Sequence, residues 1–246
     1  MGLKNILMKR LFILLAIFPL TAFCQNKDSI GTKKISIGLT FSPDYCYRTL
    51  KPDASVKWVA SGRDTLEIPK FGYTTGLNFA FHINKRIALE AGFLFSDKGE
   101  KTKKYSLIWI TPSGQPDPTL PTKNTFIYHY IYLDIPIKAD YYILTNRTKF
   151  YITAGVSPNI FITQKTTSIL EYSDGNSNTT TSSRRNGFDK INLTVIAGFG
   201  FAYDLTKRIY FKLEPIYRRS ISTIIDAPIK GYLYSAGLNA GVYVKI

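Results

Sequence analysis

The chain has 246 residues, with 32 Lys and Arg against 17 Asp and Glu, a formal charge of +15 and a pI near 9.7. That length suits one domain without a linker, and two cysteines, Cys24 and Cys46, cannot build a disulfide framework. Aromatics make up 14% of residues, a composition that a soluble sandwich and a membrane barrel share, so alternation and loop length must separate the two.

The chain opens with Lys4, Lys9 and Arg10, an apolar run over 11–20, then Thr21, Ala22, Phe23, Cys24 and a polar stretch. This is the layout of a secretory signal peptide, and the run is shorter than the roughly 20 residues a helical span needs. Ala22 and Cys24 place small residues where a signal peptidase reads them. Cleavage is therefore expected before Gln25, dividing the chain into a signal peptide over 1–24 and a barrel domain over 25–246. Lipidation of Cys24 is the alternative; Phe23 stands where a lipoprotein signal wants a small residue. Cleavage would leave 222 residues, Cys46 as their one cysteine, and a formal charge of +12.

Beyond it, polarity alternates with period two, the signature of strands with one apolar and one polar face. A first strand is expected over 34–41, with Ile35, Ile37, Leu39 and Phe41 on one side. The next two, over 71–83 and 87–95, form a hairpin around the turn at 84–86. The fourth, over 127–143, reads IYHYIYLDIPIKADYYI. One parity holds isoleucines, Leu133, Ala139, Tyr141 and His129; the other holds Asp134, Pro136, Lys138, Asp140 and four tyrosines. Pro136 is expected to kink this strand. Strands over 150–163, 190–205, 209–218 and 231–246 follow, and Pro158 suggests a bulge or an end of pairing. The segment 176–183 (NSNTTTSS) reads as low-complexity and mobile.

The connections alternate. Segments 43–69, 97–125, 164–188 and 219–230 are long; 84–86, 144–149 and 206–208 are short. Strict alternation with eight strands is what outer-membrane barrels show, whereas a sandwich has no reason for it. The expected fold is therefore all-β, an eight-stranded antiparallel up-and-down transmembrane β-barrel of the outer-membrane type. Its termini and short turns would be periplasmic and its long segments would face outward.

YLDIPIKADYY, GLTFSPDYCY near the mature start and the ending SAGLNAGVYVKI resemble the PorT-like porin-family β-barrels, an outer-membrane β-barrel group of bacteria with a type IX secretion and gliding apparatus. The last residue, Ile246, departs from the Phe that usually ends the insertion signal of such strands. The resemblance implies an outer-membrane location and a link to secretion or gliding, with envelope or secretion-system proteins as partners.

The chemistry-bearing residues fall into two groups. Glu90, Asp134, Lys138, Asp140, Lys212, Glu214 and Arg218 have inward parity, as does Asp204. An eight-stranded barrel has an interior just wide enough for side chains to fill, so these charges are expected to pair as a plug; a narrow ion or solute path is the alternative. On the loop side lie Arg48, Lys51, Lys57, Arg63, Lys98, Lys101, Lys103, Lys104, Arg184, Arg185, Arg219 and Lys230. Of these, Lys98, Lys101, Lys103, Lys104, Arg184 and Arg185 are the candidate contacts to lipopolysaccharide phosphates, against ordinary solvated loops. No nucleic-acid partner is expected in this compartment despite the pI. His82 and His129 have no neighbours at metal-ligand spacing, and no Ser stands beside His129 as a nucleophile, so neither metal, cofactor nor catalytic residues are expected. The expected role is a non-enzymatic anchor or scaffold of the cell envelope, with a narrow channel as the alternative; a Ser or Asp from another segment could still meet His129 in space, which keeps a lipid A-modifying enzyme as a third reading.

Overall fold

The computed structural model describes residues 34–110, 117 and 119–246. The expected signal peptide and its cleavage site lie outside them. In the described residues eleven strands and one α-helix follow in order: β1 (Ile35–Pro52), α1 (Lys57–Leu66), β2 (Glu67–His82), β3 (Ile87–Thr102), β4 (Tyr105–Ser106), β5 (Lys123–Asp134), β6 (Ile137–Tyr142), β7 (Thr148–Glu171), β8 (Ser177–Arg184), β9 (Ile191–Asp204), β10 (Ile209–Ser220) and β11 (Ile229–Lys245). All pairings are antiparallel. β1 pairs with β2 and β11, β2 with β3, β3 with β5 and β6, β7 with β5, β6 and β9, and β10 with β9 and β11. With β5 and β6 counted as one broken strand, this is a closed ring of eight. β4 and β8 lie outside it, pairing only with β5 and β7.

Closure follows from the two-sided strands. Leu39, Phe41, Phe93, Ile152, Phe199 and Val242 project outward and stay exposed, while Thr40, Asn78, Glu90, Thr153, Lys212 and Asn239 at inward parity are buried. An apolar outside around a polar inside is the reverse of a soluble domain and suits lipid as solvent. The wall also tightens where glycine faces the lumen. A Cβ at Gly200 would sit 2.7 Å from the Tyr151 hydroxyl, so the ring occupies the space a side chain would take.

Several strands outrun their expected bounds. β1 continues eleven residues past Phe41, to Pro52, and 67–70 belong to β2, so the first long segment shrinks to α1 and its flanks. β7 runs to Glu171, and NSNTTTSS is not a mobile tract but β8, paired with 164–171 of β7 in a hairpin. Gly175 at its tip has φ +85°, a conformation side chains rarely allow. Pro136 does interrupt the fourth expected strand, splitting it into β5 and β6, and the freed Ile135 N–H donates to the Pro158 carbonyl at 2.9 Å. Pro158 stays in register opposite Leu193; the bulge lies instead at Ile162, where pairing slips between Ile131 and Tyr132.

Candidate functional site

The lumen is the candidate site, filled by charges in three tiers. The first lies nearer the short turns. β3 supplies Glu90, β6 supplies Lys138 and Asp140, and β10 supplies Lys212 and Glu214; period-two alternation turns all five inward. Lys212 Nζ lies 2.6 Å from Glu90 Oε2 and 2.7 Å from Asp140 Oδ2. Lys138 Nζ lies 3.0 Å from Glu214 Oε1 and 3.1 Å from Glu90 Oε1. Tyr151 donates to Glu214 at 2.9 Å and Tyr243 to Glu90 at 3.1 Å. Lys212 Nζ also stands 4.6 Å from the Tyr151 ring centre. Below this tier Tyr142, Tyr210, Tyr243 and His82 stack over Ala80, Ala88 and Ala202.

The second tier pairs Lys98 with Asp134 at 2.8 Å and Arg218 with Asp44 at 2.8 Å. Asp44 also accepts from Ser42 at 2.7 Å and Thr74 at 2.5 Å. Between these pairs a cavity of about 10 Å³ remains, lined by Lys98, Asp134, Asn159 and Arg218 among others, room for about one water. The third tier caps the long-loop end. Arg48 holds Glu67 through Nε at 2.7 Å and Asp64 of α1 at 2.9 Å, and Arg63 adds Glu67 at 2.7 Å. Glu100 lies beside them, 3.9 Å from Arg48, and accepts from Tyr130 at 3.3 Å. On the outer face of β3 apolar residues end at Phe95 and Asp97 and Lys101 follow, which puts Glu100 above the apolar belt. Burial, and next the Glu67 carboxylate, push its carboxyl up to about 7 against the pull of Arg48.

Buried charges this far from water persist only when paired, and here nearly every one is. All seven expected interior residues (Glu90, Asp134, Lys138, Asp140, Lys212, Glu214 and Arg218) are buried in the ring. Asp204 is not among them: it sits at the short-turn rim between Lys245 at 2.7 Å and Lys149 at 2.9 Å. Sequence reasoning missed Asp44, Arg48, Glu67 and Glu100, having assigned their stretches to loops. The signal was there for two of them, since the alternation of β1 continues through Asp44, Cys46 and Arg48.

The loop-side set divides. Lys98 and Arg48 are 5% and 2% exposed and point inward, so they leave it. Lys101 is half-buried; Lys103, Arg184 and Arg185 are exposed; Lys104 pairs with Glu171 at 2.6 Å. His82 joins the tyrosine layer, while His129 meets Asp97 on the outer wall, Nδ1 to Oδ2 at 2.8 Å. Among the described residues no group of three or more His, Cys, Asp or Glu could hold a metal ion.

Comparison with solved structures returns outer-membrane barrels. Neisserial surface protein A is 15% identical, covers 86% of this chain and 97% of its own, and has a TM-score of 0.43. Ail, the attachment invasion locus protein of Yersinia pestis, is 11% identical over 85% and 99% with a TM-score of 0.34. OprG of Pseudomonas aeruginosa is 13% identical over 85% and 95% with a TM-score of 0.37. No curated protein matches. The model of the outer membrane protein beta-barrel domain matches residues 23–226, most of the closed ring, and the chain therefore belongs to the outer membrane protein beta-barrel domain family.

Proposed function

We propose that this outer-membrane barrel is a closed, non-enzymatic anchor or scaffold of the cell envelope. The observation that carries the reading is the filled lumen: three tiers of paired charges, with Lys212 and Glu90 at 2.6 Å in the first, occupy the path a solute would take. A conducting pore needs water-lined space, and the second tier keeps about 10 Å³. What remains for contact is the long-loop end, built from α1, β4, the β7–β8 hairpin and the basic residues Lys101, Lys103, Arg184 and Arg185. The likeness of YLDIPIKADYY to PorT-like barrels supports partners in a type IX secretion or gliding assembly, with short turns and termini in the periplasm.

Purified protein in planar bilayers is expected to show no steady conductance steps, and crosslinking in cells is expected to capture envelope proteins through the long-loop end. Steady single channels would sink the scaffold reading in favour of transport. Release of a product from labelled lipid A would replace it with an enzyme.

A further inference from the structure

The outer wall has a feature that the closed lumen does not need. Four neighbouring strands, β2, β3, β5 and β7, are indented between two bulges, one between Pro69 and Tyr73, the other at Ile162. Bulges re-aim side chains and gather beside functional sites. Here they open an external groove of about 400 Å³, within the range of small-molecule sites. Its apolar part is Tyr73, Phe95, Ile131 and Ile162; Ile131 forms the floor and is 8% exposed.

Above that part the wall becomes polar on adjacent strands: Asp97 follows Phe95 on β3, His129 stands beyond Ile131 on β5, and Lys165 beyond Ile162 on β7. His129 and Lys165 are cross-strand partners. Lys70, displaced by the β2 bulge, reaches in, with Nζ 2.7 Å from Asp97 Oδ1 and 2.9 Å from His129 Nδ1. It passes over Gly99, whose φ of +144° suits glycine and where a Cβ would lie 3.1 Å from Lys70 Cε.

Ion pairs on the lipid side of a wall are costly and mark functional positions. Lys70 and Asp97 neutralise each other. His129 Nδ1 lies 2.8 Å from Asp97 Oδ2 and 2.9 Å from the Lys70 ammonium, so that nitrogen is engaged within the cluster and Nε2 is the one left to face the groove. Lys165 is exposed and makes no ion pair among the described residues. The groove thus carries an unbalanced positive end beside an apolar channel, at the level where aromatic residues mark a membrane interface.

We infer that this groove binds a phosphate-bearing lipid of the leaflet around the long-loop end, with an acyl chain over Ile131 between Phe95 and Ile162 and the phosphate at Lys165 and His129. The amphiphile is dictated by the division of the groove. A free phosphate would leave the apolar part uncovered, and a neutral lipid would leave Lys165 unpaired. The inference needs only a membrane-embedded barrel and stands apart from any partner of the loops.

The test uses the full chain in neutral detergent micelles, titrated with fluorescent bis-phosphorylated lipid A, with dephosphorylated lipid A and inorganic phosphate as further arms. A charge-assisted hydrogen bond is worth ~1.5–3 kcal/mol, so dephosphorylation, Lys165→Glu and His129→Gln should each weaken binding about tenfold or more. Inorganic phosphate should not displace the lipid. Lys165 is exposed, so its variant is expected to fold, and circular dichroism checks both. Equal binding of the dephosphorylated lipid, unchanged binding by both variants, or full displacement by phosphate alone would each overturn the site.

Discussion

Replacing Lys212 with Met tests the physical basis of the plug. Lys212 is 2% exposed and, among the described residues, is the one cation within hydrogen-bond distance of Asp140, at 2.7 Å; it also holds Glu90 at 2.6 Å. Met nearly preserves the volume and removes the charge, so cavity effects stay small. Glu90 and Glu214 would then share Lys138, and Asp140 would be buried with no ion-pair partner among the described residues. Breaking a buried pair by removing one partner costs ~3–5 kcal/mol, because the remaining charge is stranded. The assay is urea unfolding of the barrel in lipid vesicles, followed by the strand band in circular dichroism. Lys212→Met should lower stability by roughly 3 kcal/mol or more, and adding Asp140→Asn should recover about 2 kcal/mol as a non-additive term. A loss below about 1 kcal/mol would mean that water reaches Glu90 and Asp140, and the filled-lumen argument would fail with it.

Three other outcomes follow from the same geometry. Cys46 is fully buried toward the lumen, so peptide mapping should find it unlabelled by charged thiol reagents until the barrel unfolds; rapid labelling in the native protein would indicate a wet pore. Replacing residues 174–186 with a short Gly/Ser linker removes β8, which is wholly exposed and pairs only with β7; the ring should refold as well as the parent, and failure would show that closure depends on the hairpin. Glu100 titrates near 7 when folded against an ordinary 4.5. Between those values the folded state keeps a proton that the unfolded chain has lost, so its contribution to stability is full below pH 4.5 and declines until the pH passes about 7. Unfolding at pH 5 and pH 8 should show that decline in the parent and a flatter response in Glu100→Gln; equal responses would refute it.

The fold was legible because lipid and lumen impose opposite polarities on alternate residues of every strand. Asp134, Lys138 and Asp140 on one parity of a strand otherwise rich in isoleucine already demanded a polar interior, and loop lengths fixed the ring of eight. Pro136 announced its break through its missing N–H. The limits of strands were harder to read. β1, β3 and β7 extend past the apolar belt, where the outer face no longer has to be apolar and the period-two signal fades even as hydrogen bonding continues. NSNTTTSS shows this at its extreme: it forms a strand because β7 offers an edge and Gly175 turns the chain, neither of which its own composition encodes.

Parity also fails wherever a bulge inserts a residue. Asp97 looked like the start of a loop, and the β3–β5 register sets it beside His129, while the slip between Pro69 and Tyr73 brings Lys70 to both. The sequence by itself determined that charges point inward, since side-chain direction is a local property of extended backbone. Which carboxylate meets which ammonium was decided by register around the closed ring: Lys212 and Glu90 are 122 residues apart and Arg218 and Asp44 are 174 apart. Pairing at that separation depends on strand stagger and barrel diameter, which exist only once the last strand has closed on the first.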